Sequence, residues 1–292
     1  MLHRIVFFIV VLGTAVNTYA QSPICRDETG TRNCCGVTRI EDCPDVGCGG
    51  DPELNKKKNR TDLPTIPAEP KTFTQLTSFT HPATWASGTG RALLESWGEG
   101  RNIQLRGYVF EADNYTSGKE TTNCSLGTSD FNDFHIVLVE NLTLANKSKA
   151  AEDKVKAAED VLDDAEAGGT AAQIASAKVK LKTAKDKFKA AHKRAEKRSL
   201  TAEISPRLRP NVAAVGSGSS SDRIISQLRK FAREFTYVRV TGWAMLDTQH
   251  IDSPIDRRSN WELHPVTKFE VCTTTVAECD AGTGWTNLEA MP

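Results

Sequence analysis

The feature that most constrains the fold is a helical segment, residues 146–198, inserted between two stretches that have β-strand patterning. It has no glycine or proline apart from Gly168-Gly169, and its apolar residues recur at spacings of three and four. Thr170 and Gln173 match a capping box, which predicts a second helix after the glycines. The segment therefore predicts an antiparallel coiled-coil hairpin whose two ends lie together, so removing it should leave the remainder folded.

The two arms of this hairpin differ in charge. The first arm (146–166) has 4 lysines and 7 acidic residues, whereas the second (170–198) has 10 basic and 2 acidic residues. Opposite charges favour pairing of the arms. Two interpretations stay open: the hairpin docks a partner protein or an acidic surface, or it is an insertion that projects from the fold and has no chemistry.

The sequence on either side of the hairpin predicts one β domain. Alternating patterns indicate strands over residues 103–110, 134–139, 200–204, 237–245 and 261–272. An amphipathic helix, 221–234, lies between the third and fourth strands, and one or two short helices are expected within 72–99. The order β-β-β-α-β-β is that of an OB-like five-stranded Greek-key barrel. We therefore predict a mainly β fold, with the barrel divided between residues 71–145 and 200–292 and the hairpin occupying 146–199.

The N-terminal 20 residues have the pattern of a cleaved signal peptide. His3 and Arg4 precede an apolar stretch at 5–16, and small residues at 18–20 supply the cleavage site. The apolar stretch is shorter than the roughly 20 residues that span a bilayer. We therefore expect a secreted or periplasmic protein with no integral membrane segment after cleavage.

All eight cysteines lie after this signal, and an even number in an exported chain favours disulfides. Five fall within residues 25–48, so they cannot all pair with each other, and Cys124 is expected to bond back to them. Two further pairs, Cys43 with Cys48 and Cys272 with Cys279, are close enough to form local bridges. A zinc knot is the alternative, but the spacing matches no common ligand pattern. The predicted disulfide cysteines are Cys25, Cys34, Cys35, Cys43, Cys48, Cys124, Cys272 and Cys279.

Residues 21–70 thus comprise a disulfide-stapled segment and a connection to the barrel. The connection, 51–70, contains a run of three lysines, 56–58, and three prolines. This composition is typical of a solvated linker or a wrapping arm, with the lysines at the surface.

Imidazoles and carboxylates accompany the predicted strands and could form one polar site. Zinc or another transition metal and metal-assisted hydrolysis of a phosphodiester or ester are one interpretation. Hydrogen bonds that only lock the barrel are the other, and no nucleophile, zinc-protease or phosphate-loop motif is present. The candidate metal ligands are His135, Glu262 and His264, and the candidate catalytic groups are Asp133, Glu203 and His250.

A second candidate surface combines basic and aromatic side chains. Such side chains hold bases or sugars on OB-like sheets. The candidate ligand-binding residues are Arg106, Tyr108, Arg239, Trp243, Arg257 and Arg258. Because 37 basic residues balance 37 acidic ones, an oligosaccharide, peptide or protein ligand is favoured over nucleic acid.

Four motifs occur in a fixed order along the barrel segments. They are D-x-H at 133–135, AEI-x-P at 202–206, VTGW at 240–243 followed by Asp247 and His250, and WELHPV at 261–266. In these motifs the chain resembles a widespread group of uncharacterised exported bacterial proteins with OB-like barrels. The resemblance covers residues 70–145 and 200–271, and the hairpin departs from it. It implies the fold and leaves the activity open.

The leading hypothesis from the sequence is a non-enzymatic, exported OB-like module that binds a ligand or an envelope protein and needs no cofactor. The first alternative is a metal-assisted hydrolase that uses the histidine and glutamate cluster. The second is a protein-docking role for the hairpin.

Overall fold

A computed structural model describes the protein over residues 37–114, 120–128, 130–209, 221–251 and 257–291. The predicted signal peptide and the first three predicted disulfide cysteines, Cys25, Cys34 and Cys35, lie outside the described residues.

The described chain has seven strands in one sheet. They are β1 (Glu69–Pro70), β2 (Asn102–Asn114), β3 (Phe134–Val139), β4 (Ser199–Ile204), β5 (Tyr237–Leu246), β6 (Trp261–Cys272) and β7 (Trp285–Asn287). Its α-helices are α1 (Pro52–Lys58), α2 (Phe73–Thr77), α3 (Ala92–Trp97), α4 (Leu142–Gly168), α5 (Ala171–Glu196), α6 (Ser221–Glu234) and α7 (Val276–Asp280). Short 3-10 helices occur at Ile40–Asp42, Thr121–Asn123, Thr248–His250 and Leu288–Ala290.

Strands β2 to β6 close into a barrel in the order β2-β3-β4-β6-β5, with β5 pairing back to β2. Only the β4–β6 pairing within this barrel is parallel. β1 adds a short parallel pairing to β2, and β7 adds an antiparallel pairing to β6. This confirms the predicted fold class, a mainly β fold with a closed five-stranded barrel and a helical insertion. Helix α6 lies between β4 and β5, as predicted, and the OB-like assignment of the barrel stays a prediction.

Alternation along the strands produces the core of the barrel. Leu105, Val240 and Phe269 are buried on the inner face, while α6 buries Ile224 and Leu228 against the same cluster. These are the positions that a two-residue period in strands and a helical period in α6 place on one side. The two short helices expected before the barrel are α2 and α3.

The helical hairpin is confirmed, and its first helix starts earlier than the pattern predicted. Helix α4 begins at Leu142 because the Asn141 side chain accepts a hydrogen bond from the Thr143 amide. The predicted capping box at Thr170 and Gln173 is present at the start of α5. No helix in the described part of the chain is both long enough and apolar enough to cross a membrane.

A long-range disulfide connects the N-terminal segment to the barrel domain. Cys124 bonds back to the N-terminal cysteines, as expected, and its partner is Cys43. The expected local bridge from Cys43 to Cys48 is therefore wrong, although Cys48 is itself disulfide-bonded. The local bridge between Cys272 and Cys279 is confirmed.

Candidate functional site

The predicted polar residues meet at one end of the barrel. In the β3–β4 register His135 is opposite Glu203, and in the β4–β6 register Ala202 is opposite Leu263. These pairings place the start of β3 and the start of β6 on either side of the end of β4. The barrel-end cluster, as we name it, consists of Lys58, Glu120, Asp133, His135, Glu203, Asp247, Arg257, Glu262 and His264.

His264 is the centre of this cluster and is fully buried. Its Nδ1 atom lies 2.8 Å from Glu203 Oε2 and 3.5 Å from Glu262 Oε1, and its Nε2 atom lies 3.7 Å from Asp133 Oδ2. Neither ring nitrogen forms a hydrogen bond of good geometry to another described residue, so these contacts are ion pairs. Burial lowers the pKa of His264, but the charges of Glu203 and Asp133 outweigh it and raise the pKa to about 10. His264 is therefore an imidazolium at neutral pH.

Arg257 forms a second centre, beside the first. Its guanidinium donates to Glu262 Oε2 at 2.7 Å and to Asp247 Oδ2 at 2.5 Å. Asp247 also accepts from His250 at 2.8 Å, although the His250 side chain is 56% exposed. Burial raises the pKa of Asp247, but hydrogen bonding to His250 and the nearby cations outweigh it and lower this pKa. Arg257 is thus part of the barrel-end cluster and not of an open binding surface.

Lys58 brings a third cation, from helix α1. Burial of its ammonium lowers the pKa of Lys58, but four carboxylates outweigh this and raise the pKa above its ordinary value: Glu203, Asp247, Glu262 and Asp133. The lysine run was predicted at the surface, and Lys58 is instead half-buried near these carboxylates. Asp51 caps α1 and Pro52 occupies its first turn, so the helix start was readable from the sequence. The partial burial of Lys58 was not readable, because it depends on packing against the barrel.

The remaining members connect the cluster to its surface. His135 lies on the other side of Glu203, with Nδ1 3.2 Å from Glu203 Oε1 and Nε2 3.8 Å from Glu120 Oε1. Burial, and then the charge of Glu203, raises the pKa of Glu120. Burial and the charge of Glu120 likewise raise the pKa of Asp133 to about 6. Glu120 is a member that the strand patterns did not indicate, since it lies in the connection between β2 and β3.

The structure brings two of the three candidate metal ligands, Glu262 and His264, into contact. The group whose possible ligand atoms all lie within 4.8 Å of one another consists of Asp133, Glu203 and His264. His135 lies outside that group. The metal interpretation of this cluster stays a prediction.

The candidate ligand-binding residues divide into two groups. Trp243 is 7% exposed and lies beneath the Arg60 guanidinium, 3.6 Å from the ring centre. Arg258 contacts Glu140 and Thr74 at the surface. Arg106, Tyr108 and Arg239, by contrast, share one outer face of β2 and β5.

That outer face also contains two further aromatic residues, Tyr237 and Trp285. Tyr108 and Tyr237 have ring centres 4.9 Å apart, and Tyr237 and Trp285 have ring centres 5.7 Å apart. The guanidiniums of Arg239 and Arg106 lie 4.6 and 5.8 Å from the Trp285 ring centre. We call these five residues the aromatic face. Trp285 joins it because β7 pairs with β6, a pairing that only the three-dimensional structure reveals.

The charged groups of the aromatic face are already paired. Arg239 donates twice to Glu270, both at 2.7 Å. Asp280 accepts from Tyr237 at 2.9 Å and from Arg106 at 3.2 Å. The face is therefore close to neutral, although it contains two arginines.

Comparison of the chain with known protein families, with curated proteins and with solved structures gives no match, so its function has to be argued from this geometry.

Proposed function

We propose that the protein is an exported, non-enzymatic binding module that holds an oligosaccharide on the aromatic face. The observation that carries this proposal is a row of three contiguous, half-buried rings, Tyr108, Tyr237 and Trp285, bordered by paired guanidinium and carboxylate groups. Rings offer a flat apolar surface for the CH face of a sugar. The planar arginines and their carboxylates offer donors and acceptors to its hydroxyls.

The charge of the aromatic face favours a neutral ligand. A polyanion such as nucleic acid is bound chiefly by unpaired cations that replace its counterions. Arg106 and Arg239 are instead paired with Asp280 and Glu270. A ligand that needs stacking and hydrogen bonds, and no net charge, fits such a surface.

Export is supported by the bonded cysteines. Stable disulfides such as Cys43–Cys124 and Cys272–Cys279 are typical of oxidising compartments. The signal-peptide pattern of residues 1–20 supports the same location.

The barrel-end cluster supports a structural role better than hydrolysis. His264 and Glu262 are fully buried, so a substrate has no direct route to them. Three cations, Lys58, Arg257 and His264, lie among the carboxylates of Glu203, Asp247, Glu262 and Asp133. This set of opposite charges joins α1 to the barrel, and a buried network of this kind fixes one arrangement of the chain.

Oligosaccharide binding can be tested by isothermal titration calorimetry, which also measures a variant that lacks Trp285. Neutral hexasaccharides with glucose or N-acetylglucosamine units, such as cellohexaose, maltohexaose and chitohexaose, would be titrated into the full chain. We expect a saturable heat of binding with one of them. Trp285→Ala should weaken that affinity roughly tenfold, since a stacked ring contributes on the order of 1 kcal/mol beyond its buried area.

Trp85→Ala is the matched control, because Trp85 is also half-buried but lies beside Arg91, away from the aromatic face. Its affinity should equal that of the unchanged chain. Failure of all three hexasaccharides to bind, or equal affinity in Trp285→Ala, would contradict the proposal. Binding of oligothymidylate instead would show that the ligand of the aromatic face is single-stranded nucleic acid.

A further inference from the structure

The base of the hairpin contains a histidine that the barrel-end cluster and the aromatic face do not use. His192 lies on α5, with its ring centre 5.1 Å from that of Phe110 on β2 and 5.3 Å from that of Phe188. Its Nδ1 atom is 3.2 Å from the Ser148 hydroxyl on α4. The imidazole is thus held by two rings and one hydrogen bond, with Nε2 directed away from α4.

Two carboxylates face the Nε2 atom. Glu111 Oε1, from β2, lies 2.5 Å from it, and Glu196 Oε1, one helical turn after His192, lies 3.7 Å from it. Possible ligand atoms of these three residues all lie within 4.8 Å of one another. The arm from 170 to 198 has only one histidine and two acidic residues, so this i, i+4 pair is not a consequence of acidic composition.

A cavity of about 640 Å³ adjoins two of the three groups, His192 and Glu111. Its lining includes Phe110, Phe188, Phe235, His192, Glu111 and Arg229. Two of the cations that line this cavity contact other acids: Lys149 is 3.2 Å from Glu152, and Arg229 is 2.5 Å from Asp113.

We propose that His192, Glu111 and Glu196 bind a divalent transition metal ion of the zinc class, and that this ion fastens the hairpin to the barrel. One imidazole and two carboxylates are ligands that zinc accepts, whereas magnesium and calcium prefer oxygen ligands alone. Ser148 orients the imidazole through Nδ1, as outer hydrogen bonds do at metal-bound histidines. This site is separate from the oligosaccharide face, and neither proposal depends on the other.

The existing spacing needs only a small adjustment for a metal. Zinc ligands about 2.0–2.2 Å from the ion stand roughly 3.3 Å from each other in a tetrahedral site. The Nε2 to Glu196 distance is near that value, and Glu111 has to move outward by less than about 1 Å. Water from the adjoining cavity, which His192 and Glu111 line, can complete the coordination.

Cobalt(II) provides a direct test, because it replaces zinc and gives visible absorption bands that depend on coordination. The full chain, with its disulfides intact and stripped of metal with a chelator, would be titrated with Co²⁺. We expect one equivalent to bind with saturable bands, and Zn²⁺ to abolish them. His192→Gln and Glu111→Gln should each remove the bands, and Ser148→Ala should weaken binding about 10- to 100-fold.

His81→Gln is the control, since His81 is exposed and its Nδ1 atom lies 3.2 Å from the carbonyl of the neighbouring Pro82; its titration should match that of the unchanged chain. Far-ultraviolet circular dichroism would establish that His192→Gln and Glu111→Gln are folded. The proposal is overturned if the unchanged chain gives no saturable bands, or if His192→Gln and Glu111→Gln keep them. Loss of the bands in His264→Gln alone would also overturn it and move the metal to the barrel-end cluster. Trp285→Ala should retain the bands, whether or not oligosaccharide binding is found.

Discussion

At the residue scale, the barrel-end cluster shows how one small barrel buries many charges. A buried charge costs several kcal/mol unless it is paired, so each member needs a partner of opposite sign nearby. Lys58 adds a positive charge to the cluster from outside the barrel. His264 adds another because it stays protonated at neutral pH. Arg91 and Glu99 form another buried pair of opposite charges, in which two Arg91 nitrogens lie 2.5 and 2.7 Å from the Glu99 carboxylate oxygens.

Replacing Lys58 by methionine should therefore destabilise the protein by about 3–5 kcal/mol, because the buried carboxylates of the cluster would lose one of the cations that compensate them. The measurement is the free energy of unfolding in urea. Lys57→Met is the matched control: Lys57 pairs with Glu95, whose side chain is 51% exposed, and such a pair contributes at most about 1 kcal/mol. Equal losses in the two variants would show that Lys58 does not compensate the cluster.

His264 predicts how stability depends on pH. Its pKa is about 10 in the folded protein and about 6.5 in an unfolded chain. A histidine whose pKa is raised on folding stabilises the folded protein fully when the pH is below its pKa in the unfolded chain. This contribution is lost as pH rises from about 6.5 through 10. We expect the free energy of unfolding to fall by on the order of a few kcal/mol between pH 7 and 10.

The matched measurement is the same pH series on His264→Gln, which should lack this fall, and on His81→Gln, which should retain it. Asp133 affects stability over a lower pH range. Its pKa is raised to about 6 in the folded protein, so the free energy of unfolding falls as pH rises from its ordinary pKa of 3.8 to about 6. Parallel curves for the unchanged chain and His264→Gln above pH 7 would mean that the imidazole is neutral when folded.

At the element scale, the predicted bounds of a strand or helix are confirmed where the residues of that element alone determine them. The bounds Phe134–Val139 and Trp261–Cys272 and helix Ser221–Glu234 follow from periodicity and turn residues within each segment. Helix α1 was interpreted as a linker because its buried face, Leu54 and Asn55, is only two residues wide beside a lysine run. Its packing partner lies far away in the sequence.

The hairpin gives a prediction of its own. Its outer part contacts chiefly itself, through cross-arm ion pairs such as Glu159–Lys185 at 3.0 Å and Glu166–Lys178 at 3.1 Å. Replacing residues 156–185 by a short glycine-rich turn should therefore leave the barrel folded, with a thermal midpoint within a few degrees of the original. Differential scanning calorimetry would measure it.

Ala195→Asp is the contrasting change at the base of the hairpin, where Ala195 is fully buried beside Phe110 and Val139. An unpaired carboxylate there should lower the melting temperature strongly, because its desolvation is not compensated. If the shortened hairpin were as damaging as Ala195→Asp, the outer part would have to support the barrel.

At the scale of the whole molecule, the N-terminal segment wraps the barrel and determines which surfaces stay open. Asn59 donates to the Thr122 carbonyl at 2.9 Å, and Arg207 donates to the Cys43 carbonyl. Arg60 covers Trp243, so one of the predicted ligand-binding residues is turned into part of an internal contact. Local patterns placed Trp243 on the outer side of its strand, and they contain no information about a segment 180 residues away that lies over it.

The disulfides should differ in their contribution to stability because they close loops of different length. Cys43 and Cys124 are separated by 81 residues, which corresponds to about 4–5 kcal/mol of loop entropy in the unfolded chain. Cys272 and Cys279 are separated by 7, which corresponds to about 2 kcal/mol. Replacing both members of each pair by alanine and measuring unfolding in urea should reproduce this order.

The long-range bridge also predicts a coupling with Lys58, since both hold the same segment against the barrel. Without Cys43–Cys124, α1 should leave the barrel more readily, and water should reach the cluster whether or not Lys58 is present. The cost of Lys58→Met should then be smaller in the Cys43→Ala/Cys124→Ala background than in the unchanged chain. It should be the same as before in the Cys272→Ala/Cys279→Ala background. Additive losses in the first background would mean that α1 is held by its own packing, and that the bridge acts on the unfolded chain alone.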